Sequence, residues 1–458
     1  MCYYSKTIMR MGFIALGYLM TLFLVAGTVA IAGASAGSSV PEAVRNASRF
    51  QKEIDRVSLS GGGVVTIPAG KWRIAPLELK SGVELRFAPG ARFYASTNWS
   101  DYASARMPAL LFATNATNVR VTGGLFFGEG WAFPRACGNR SPNRPKTAVF
   151  CGCRQVTVDG TFFGDSARWT LVFDHCEDVT VRKVKIRAHA NYNNDGIDIC
   201  DTRRVLIAGC DIDSDDDAIV FKSRDPHGFC GEAEVRDCLL SANCNMIKCG
   251  TESKGAFRDI AVRNCRLVAR TPSLVYNRRA GWMTVEGDEA GQGAISLEVV
   301  DGGSLENVRV SDVELDRAAE TAVFIRLGRR KREGLGESSL RNVVIENVRG
   351  SAASPVACSI TGVAADGADP ALRPSDIVLR NVSLSVPGGI AAADVPAEVP
   401  EQAAAYPENN MFRNVLPACG FYVRHADRVS FENVSVTPRR PDARPPVVSE
   451  DCTDCHFF

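Results

Sequence analysis

The sequence has no excess of charge of either sign. Lys plus Arg total 53 and Asp plus Glu total 52, so the formal net charge of the 458 residues is +1. A chain without an overall field is not steered towards nucleic acid or an anionic membrane surface, and no nucleic-acid partner is expected. Hydrophobic residues make up 45% of the chain, which excludes wholesale disorder and supplies one large core or two modest ones.

A long apolar run occurs at the N-terminus. Lys6 and Arg10 precede an uncharged stretch from Met11 to about Ala34, and the following residues are small enough for signal peptidase. We therefore expect residues 1–36 to be a signal peptide and the protein to be secreted, either extracellular or periplasmic. The run is nearly long enough to cross a bilayer, so an uncleaved anchor is the alternative, and membrane association is expected only in that case.

Helical periodicity is nearly absent. One helix is predicted, from Pro41 to about Val57, with Val44, Phe50 and Ile54 on one side. After the segment SGGGVVTIPAGKW, strand signals dominate to the end of the chain, which indicates an all-β fold.

Strands recur in an imperfect repeat that begins with a polar residue, alternates apolar positions, and turns before a second short strand. Between Gln155 and Asp259 successive repeats start 23 to 28 residues apart. The repeats start at Asn118, Gln155, Asp178, Arg204, Glu232, Asp259, Asn307, Asn342, Asp376 and Arg428.

Such a unit cannot bury its apolar residues alone, but stacked copies form a continuous core. We therefore predict one domain over residues 37–458, a right-handed parallel β-helix of about ten coils whose first coil is capped by the N-terminal helix. A propeller blade is longer than this unit, and the leucine ladder of a leucine-rich repeat is missing.

Acidic residues cluster in the central coils. Asp195 and Asp216 are 21 residues apart, slightly less than one coil, and Asn245 lies 28 residues beyond Asp217. Stacked parallel strands are ~4.8 Å apart, so these side chains are expected to meet on one face.

Crowded carboxylates raise at least one pKa in the group, which suits acid–base catalysis. Glycoside hydrolysis needs one protonated carboxyl group and one ionised carboxylate. A solvated turn and a calcium site are the competing interpretations of DSDDD. The glycine and distant glutamate of an EF-hand loop are missing, and the apolar AIVF after Asp217 places the acids on a rigid strand.

The chain resembles glycoside hydrolase family 28, the polygalacturonase-like parallel β-helix enzymes, from about Phe50 to about Val447. NNDGIDI is similar to the family's N-T-D block, DDDAIVFKS to its D-D block, and CGTES to its I-G-S-E segment. The resemblance implies inverting hydrolysis without a metal or other cofactor, in which Asp216 is the general acid and Asp195 and Asp217 hold and activate the water. It also implies a pectic or related polysaccharide or oligosaccharide as the partner of a monomeric enzyme.

Two blocks depart from the family pattern. Asn245 occupies the position of the G-H-G histidine, and Ser296-Leu297-Glu298 align with the R-I-K block that supplies cations for galacturonate carboxylates. We expect Glu298 to repel a uronate at that subsite. The substrate is then either neutral at the cleavage point or has its carboxylate bound elsewhere.

Lys222, Lys248 and Arg326 are the candidate cations for such a carboxylate. For the two lysines, pairing with local acids is the equally weighted alternative. Asn194 and Glu252 are further substrate-binding candidates, with a structural hydrogen bond as the alternative for Glu252. The histidines, including His189 and His227, receive no role.

Two other functions stay open. One is a β-helix polysaccharide lyase that uses calcium and a basic residue, and the other is a non-catalytic carbohydrate-binding β-helix. The lost histidine and cations favour the binding protein, whereas the three acids argue against it, because a binding site gains little from crowding like charges.

Overall fold

The computed structural model describes residues 40–135, 143–273, 291–330, 338–412 and 415–457. The predicted signal peptide lies outside these residues. From Glu42 onward the described residues form one compact unit. None of the helices in these ranges is long and apolar enough to span a membrane.

Helices are few and strands are many. The α-helices are α1 (Glu42–Leu59) and α2 (Trp99–Ala103), and one-turn 3-10 helices occur at Gly130–Ala132 and Ala392–Asp394. The strands in chain order are β1 (Gly63–Ile67), β2 (Gly70–Ile74), β3 (Leu77–Leu79), β4 (Val83–Phe87), β5 (Ala91–Ala95), β6 (Ala109–Thr114), β7 (Thr117–Thr122), β8 (Leu125–Phe127), β9 (Lys146–Cys151), β10 (Arg154–Asp159), β11 (Phe162–Gly164), β12 (Leu171–Asp174), β13 (Glu177–Arg182), β14 (Lys185–Ala188), β15 (Ile197–Cys200), β16 (Arg203–Ala208), β17 (Asp211–Ser214), β18 (Ile219–Ser223), β19 (Phe229–Arg236), β20 (Leu239–Ala242), β21 (Asn245–Ser253), β22 (Ala256–Val268), β23 (Gly291–Val299), β24 (Ser304–Asp316), β25 (Ala319–Leu327), β26 (Ser339–Ser351), β27 (Cys358–Thr361), β28 (Ser375–Gly388), β29 (Phe421–Arg440), β30 (Val447–Thr453) and β31 (His456–Phe457).

Each strand pairs in parallel with its equivalent in the next coil, which confirms the predicted right-handed parallel β-helix. One stack, here called the front sheet, runs β3–β6–β9–β12–β15–β18–β21–β23–β25–β27–β29–β30. It contains twelve strands within the described ranges, against the prediction of about ten coils.

Identical or similar apolar side chains stack in register through the interior. Ile197, Ile219, Ile247 and Ile295 are direct partners in successive front-sheet strands, and none is more than 2% exposed. Each coil therefore buries its apolar residues against the coils on either side, as the repeat predicts. The intervening residues of the same strands, such as Asp198, Lys248 and Ser296, point to the opposite side of the sheet.

Backbone conformation explains why each predicted repeat begins with a polar residue. All ten of these residues have a left-handed backbone, with φ between 48° and 61°, as Asn118 at 56° and Asp178 at 61° illustrate. L-residues with large apolar or branched side chains rarely adopt this conformation, whereas Asn and Asp tolerate it. The same left-handed residue therefore recurs within one strand of each of these ten repeats and marks the repeat in the sequence.

Helix α1 covers the first coil, as predicted. Phe50, Ile54 and Val57 are buried, and the Phe50 ring lies 5.4 Å from Trp72 and 5.6 Å from Phe93 between ring centroids. Helix α2 was not predicted, because a helix of five residues is too short to show a period.

Cysteines inside the strand patterns are buried thiols. Cys210, Cys238 and Cys265 are each at most 3% exposed and form no disulfide. Each donates to a backbone carbonyl near its own turn, for example from Cys238 to the carbonyl of Arg236. They pack as small hydrophobic residues.

Candidate functional site

Three of the predicted residues occupy the same place in consecutive coils. The amide of Gly196 donates to the carbonyl of Asp217 at 2.8 Å, and the amide of Ala218 donates to the carbonyl of Asn245 at 2.8 Å. Asp195, Asp217 and Asn245 are therefore one strand spacing apart, ~4.8 Å each, at the edge where β15, β18 and β21 begin. The single-coil spacing in the sequence produces this row.

Asp217 is buried and held by the next coil. Its Oδ1 accepts hydrogen bonds from the backbone amide of Asn245 at 3.0 Å and from its side-chain Nδ2 at 2.8 Å. The Asn245 Oδ1 accepts from the Ser296 hydroxyl at 2.7 Å, which fixes the orientation of the amide. Asn245 and Ser296, the two positions that depart from the family pattern, therefore contact each other and together orient Asp217.

Asp216 is the more accessible acid, since it is half-buried whereas Asp195 and Asp217 are 3% and 5% exposed. Its Oδ1 accepts from the amide of Asp217 at 3.0 Å and lies 2.7 Å from the Cys244 thiol. Its Oδ2 accepts from Asn193 Nδ2 at 3.4 Å. A partly exposed acid is suited to transferring a proton to a bound molecule.

Lys222 lies between two buried carboxylates. Its Nζ is 2.9 Å from Asp195 Oδ2 and also contacts Asp198 Oδ1, and it lies 3.9 Å from the centroid of the Trp169 ring. Burial, reinforced by Asp198, raises the pKa of Asp195 well above its ordinary value despite the opposing charge of Lys222. Burial also raises the pKa of Asp198.

Several buried polar atoms around Asp195 have no hydrogen-bond partner within the described residues. They are both amide atoms of Asn194, Oδ1 of Asp195 and Oδ2 of Asp198. Asn194 is completely buried, so the expected partner of its amide group is a buried water molecule and not the substrate. Unsatisfied buried groups are costly, and their concentration beside the acids indicates a place for water or a ligand.

Lys248 is buried on the opposite side of the acids. Its Nζ lies 3.5 Å from Asp217 Oδ2 and 3.8 Å from Glu298 Oε2. Burial alone would lower its pKa, but Asp217 and Glu298 raise it well above the ordinary value. Glu252 lies near both site lysines, and Lys222 and Lys248 lower its pKa against the effect of burial.

Glu298 is a buried carboxyl group with a raised pKa. It is 1% exposed, and burial, reinforced by Asp217, raises its pKa to about 8 although Lys248 opposes the shift. Its Oε2 accepts from the Thr251 hydroxyl at 3.0 Å. A carboxyl group that keeps its proton repels a uronate only weakly, so the repulsion expected from Glu298 depends on the pH.

Arg326 forms hydrogen bonds mainly with backbone carbonyl groups. Its guanidinium donates to the carbonyls of Gly362 at 2.6 Å, Glu401 at 3.1 Å and Gln402 at 3.2 Å, and to the Thr361 hydroxyl at 3.2 Å. Burial lowers its pKa to about 10. The structure thus places Arg326 as a support for the 401–402 loop, with its donors used within the fold.

A histidine that the motifs left without a role lies beside the acid row. His189 Nδ1 is 3.1 Å from Asp215 Oδ1, and its Nε2 is 3.4 Å from Asp213 Oδ1. Burial would lower its pKa, but the two carboxylates raise it to about 9. Only the D-x-D-D-D pattern hinted at this group, because Asp213 and Asp215 belong to it together with Asp216 and Asp217.

Two groups of side chains have oxygen, nitrogen or sulfur atoms close enough to share a cation. They are Asp216, Asp217 and Cys244, and Asp174, His175 and Asp201, with atoms within 4.8 Å of one another in each group. In the first group Lys248 is an ion-pair partner of Asp217, and in the second Arg224 contacts Asp174 Oδ1 at 2.6 Å. These lysine and arginine charges already compensate the carboxylates.

Comparison with known proteins supports the motif-based resemblance. The model of glycosyl hydrolases family 28 matches residues 62–228, a range that includes Asp195, Asp216 and Asp217. A probable polygalacturonase of Vitis vinifera is 24% identical over 245 residues, which are 47% of this chain and 50% of that relative. The chain thus spans about half the length of this curated relative.

Solved structures share the fold. The exopolygalacturonase of Thermotoga maritima has a TM-score of 0.64 at 20% identity, covering 85% of this chain and 88% of that one. The family 28 exopolygalacturonase of Yersinia enterocolitica has a TM-score of 0.63 at 15% identity, covering 89% and 74%. The resemblance to family 28 is confirmed, and the chain is similar to polygalacturonase-like glycoside hydrolases.

Proposed function

We propose that this protein is a secreted glycoside hydrolase that cleaves the O-glycosidic bonds of a pectic or related polysaccharide with inversion of configuration. Asp216 donates the proton to the leaving oxygen, and Asp195 and Asp217 hold and activate the attacking water. The observation that carries the proposal is the cluster of three acids on two adjacent coils, in which Asp216 is accessible and Asp195 and Asp217 are buried.

The environments of the two buried acids differ. Asp217 accepts two hydrogen bonds from Asn245 and lies 3.5 Å from Lys248, and these contacts fix the position of its carboxylate. Asp195 is deeply buried and has an oxygen without a partner, beside the Asn194 amide. A water molecule placed among these atoms would receive hydrogen bonds from fixed groups and be oriented for attack.

The expected substrate follows from the relatives. The curated relative is named a probable polygalacturonase, and the solved structures are named exopolygalacturonases. A pectic polysaccharide is therefore the first substrate class to test, with neutral polysaccharides beside it.

The test compares wild type with Asp216→Asn, which removes the proton but keeps the shape of the side chain. Release of reducing sugar should fall by roughly 10²- to 10⁴-fold, the usual contribution of positioned proton transfer. Asp178→Asn is the matched control, because Asp178 is exposed on a turn and pairs with Arg204. NMR of the first product should show the inverted anomer.

Normal turnover by Asp216→Asn, with an unchanged melting temperature, would exclude the proposed mechanism. An unsaturated product that absorbs ultraviolet light, and that a chelator abolishes, would instead identify a lyase. Binding to a glycan panel without any product would identify a carbohydrate-binding protein.

A further inference from the structure

The cations proposed from the sequence to bind a substrate carboxylate are already engaged by the protein. Lys222 is paired with Asp195 and Asp198, Lys248 lies between Asp217 and Glu298, and Arg326 donates to backbone carbonyls. A uronate would have to compete with these internal partners, and its carboxylate would gain little from charges that are already compensated.

Lys146 differs from these three cations. It begins β9 and is half-buried, and its Nζ lies 4.4 Å from the centroid of the Trp169 ring. Within the described ranges its ammonium group has neither a hydrogen bond nor an ion pair, and it makes a cation–π contact with the Trp169 indole. Charges that are withdrawn from water are normally paired, so an ammonium group without an anion indicates a position that a ligand anion fills.

Backbone hydrogen bonds place Lys146 in the row that contains the acids. The amide of Thr147 donates to the carbonyl of Trp169 at 3.3 Å, and the amide of Thr170 donates to the carbonyl of Asp195 at 2.9 Å. Lys146, Trp169, Asp195 and Asp217 therefore occupy equivalent positions in four successive coils. Lys146 lies two coils to the N-terminal side of Asp195, roughly 10 Å away at ~4.8 Å per coil.

The nearby carboxylates Asp195 and Asp198 are both bonded to Lys222 rather than to Lys146. Lys222 lies over the same indole ring at 3.9 Å, so two ammonium groups share one aromatic side chain. Asp198 is the nearby carboxylate that attracts Lys146, but it is already bonded to Lys222. Burial lowers the pKa of Lys146, and an incoming carboxylate would offset that effect.

We propose that Lys146 binds the carboxylate of a uronate residue of the substrate on the N-terminal side of the acids, at a subsite next to the cleavage point. This inference rests on the proposed function and narrows its substrate to an acidic polysaccharide. The charge that recognises the carboxylate, on Lys146, lies on the N-terminal side of the acids. Ser296 and Glu298, which replace the cations of the family pattern, lie on the C-terminal side. Trp169 holds the ammonium group in place through its ring.

The experiment measures hydrolysis of an oligogalacturonate and of its fully methyl-esterified form by wild type, Lys146→Met, Lys146→Arg and Lys185→Met. Lys146→Met should raise KM for the acidic oligomer roughly ten- to a hundredfold, as expected for the loss of a charged hydrogen bond, and leave kcat within about threefold. KM for the ester should not change. Lys146→Arg should recover most of the affinity, and Lys185→Met, at an exposed lysine of β14, should behave as wild type.

An unchanged KM for the acidic oligomer in Lys146→Met would overturn the inference. Equal losses on acid and ester would also overturn it, because they would indicate a structural role. If wild type cleaves only neutral polysaccharides, the hydrolase proposal stands and this inference is wrong.

If wild type releases no product from any polysaccharide, the hydrolase proposal is wrong, and calorimetric binding of the same two oligomers decides the inference separately. Weaker binding of the acidic oligomer by Lys146→Met would support it, and equal binding or no binding would overturn it.

Discussion

The thiol of Cys244 lies against the carboxylate of Asp216, with 2.7 Å between Sγ and Oδ1. Cys244 is 4% exposed and precedes Asn245, so it stands where the family's G-H-G block begins with glycine. Together with the amide of Asp217, the thiol occupies Oδ1 of the proposed general acid. The carboxyl group is therefore held from the protein side, which limits the orientations it can take towards a substrate.

Replacing Cys244 by alanine should lower kcat about three- to tenfold, because the carboxyl group of Asp216 loses one of the contacts that orient it. Cys244→Ser keeps a donor of similar size and should retain more activity than alanine. The measurement is kcat on the polysaccharide that wild type cleaves best. Cys238→Ala is the control, since that buried thiol donates to the carbonyl of Arg236 in another turn. Equal rates for Cys244→Ala and wild type would show that the contact has no positioning role.

The fold was predictable because one turn conformation recurs. A left-handed backbone at positions such as Asn118 and Asp376 requires residues that tolerate it, and those residues mark the repeat in the sequence. The adjacency of Asp195 and Asp217 follows from the same period, since parallel stacking brings residues one coil apart into contact. In a parallel β-helix, the spacing of two residues in the sequence thus predicts whether they are neighbours in the structure.

The state of each side chain was not predictable in the same way. Lys222 and Lys146 both lie over Trp169, yet among the residues that the structure describes Lys222 is paired with two acids and Lys146 with none. This difference depends on the depth of burial and on side-chain direction, which the coil period does not determine. His189 was missed for a related reason: its partners Asp213 and Asp215 belong to the next coil, and nothing in the sequence around His189 points to them.

The buried ion pairs around Lys222 lead to a prediction about stability. Lys222→Met would leave Asp195 and Asp198 without their counter-charge in a buried position. Breaking one side of a buried pair typically costs about 3 to 5 kcal/mol, and the free energy of unfolding should fall by that amount. Guanidinium unfolding at neutral pH measures the change.

A second substitution separates charge from packing at this position. In the Lys222→Met background, Asp198→Asn removes one uncompensated carboxylate and should restore part of the lost stability. Lys71→Met, at an exposed lysine of β2, is the control and should change stability little. If the double variant is less stable than Lys222→Met, the loss comes from packing against Trp169 rather than from charge.

Glu298 should make stability depend on pH. Burial, reinforced by Asp217, raises its pKa to about 8 from the ordinary value of 4.5. Between these values the folded protein retains a proton that the unfolded chain has released. The stability that this group contributes is therefore fully present below pH 4.5 and is lost as the pH rises through about 8, at about 1.4 kcal/mol per pH unit.

The variant Glu298→Gln is neutral at every pH and should remove this dependence. Urea unfolding of wild type and variant at about pH 5, 6.5, 8 and 9.5 gives the difference in unfolding free energy at each pH. The advantage of wild type over the variant should decrease steadily up to about pH 8 and then become constant. Glu314→Gln is the control, because Glu314 is exposed, pairs with Arg349 and has a lowered pKa, so its contribution is constant over this range. Parallel curves for wild type and Glu298→Gln would mean that Glu298 is ionised in the folded protein, and a negative charge would then face the substrate at the position where the sequence placed it.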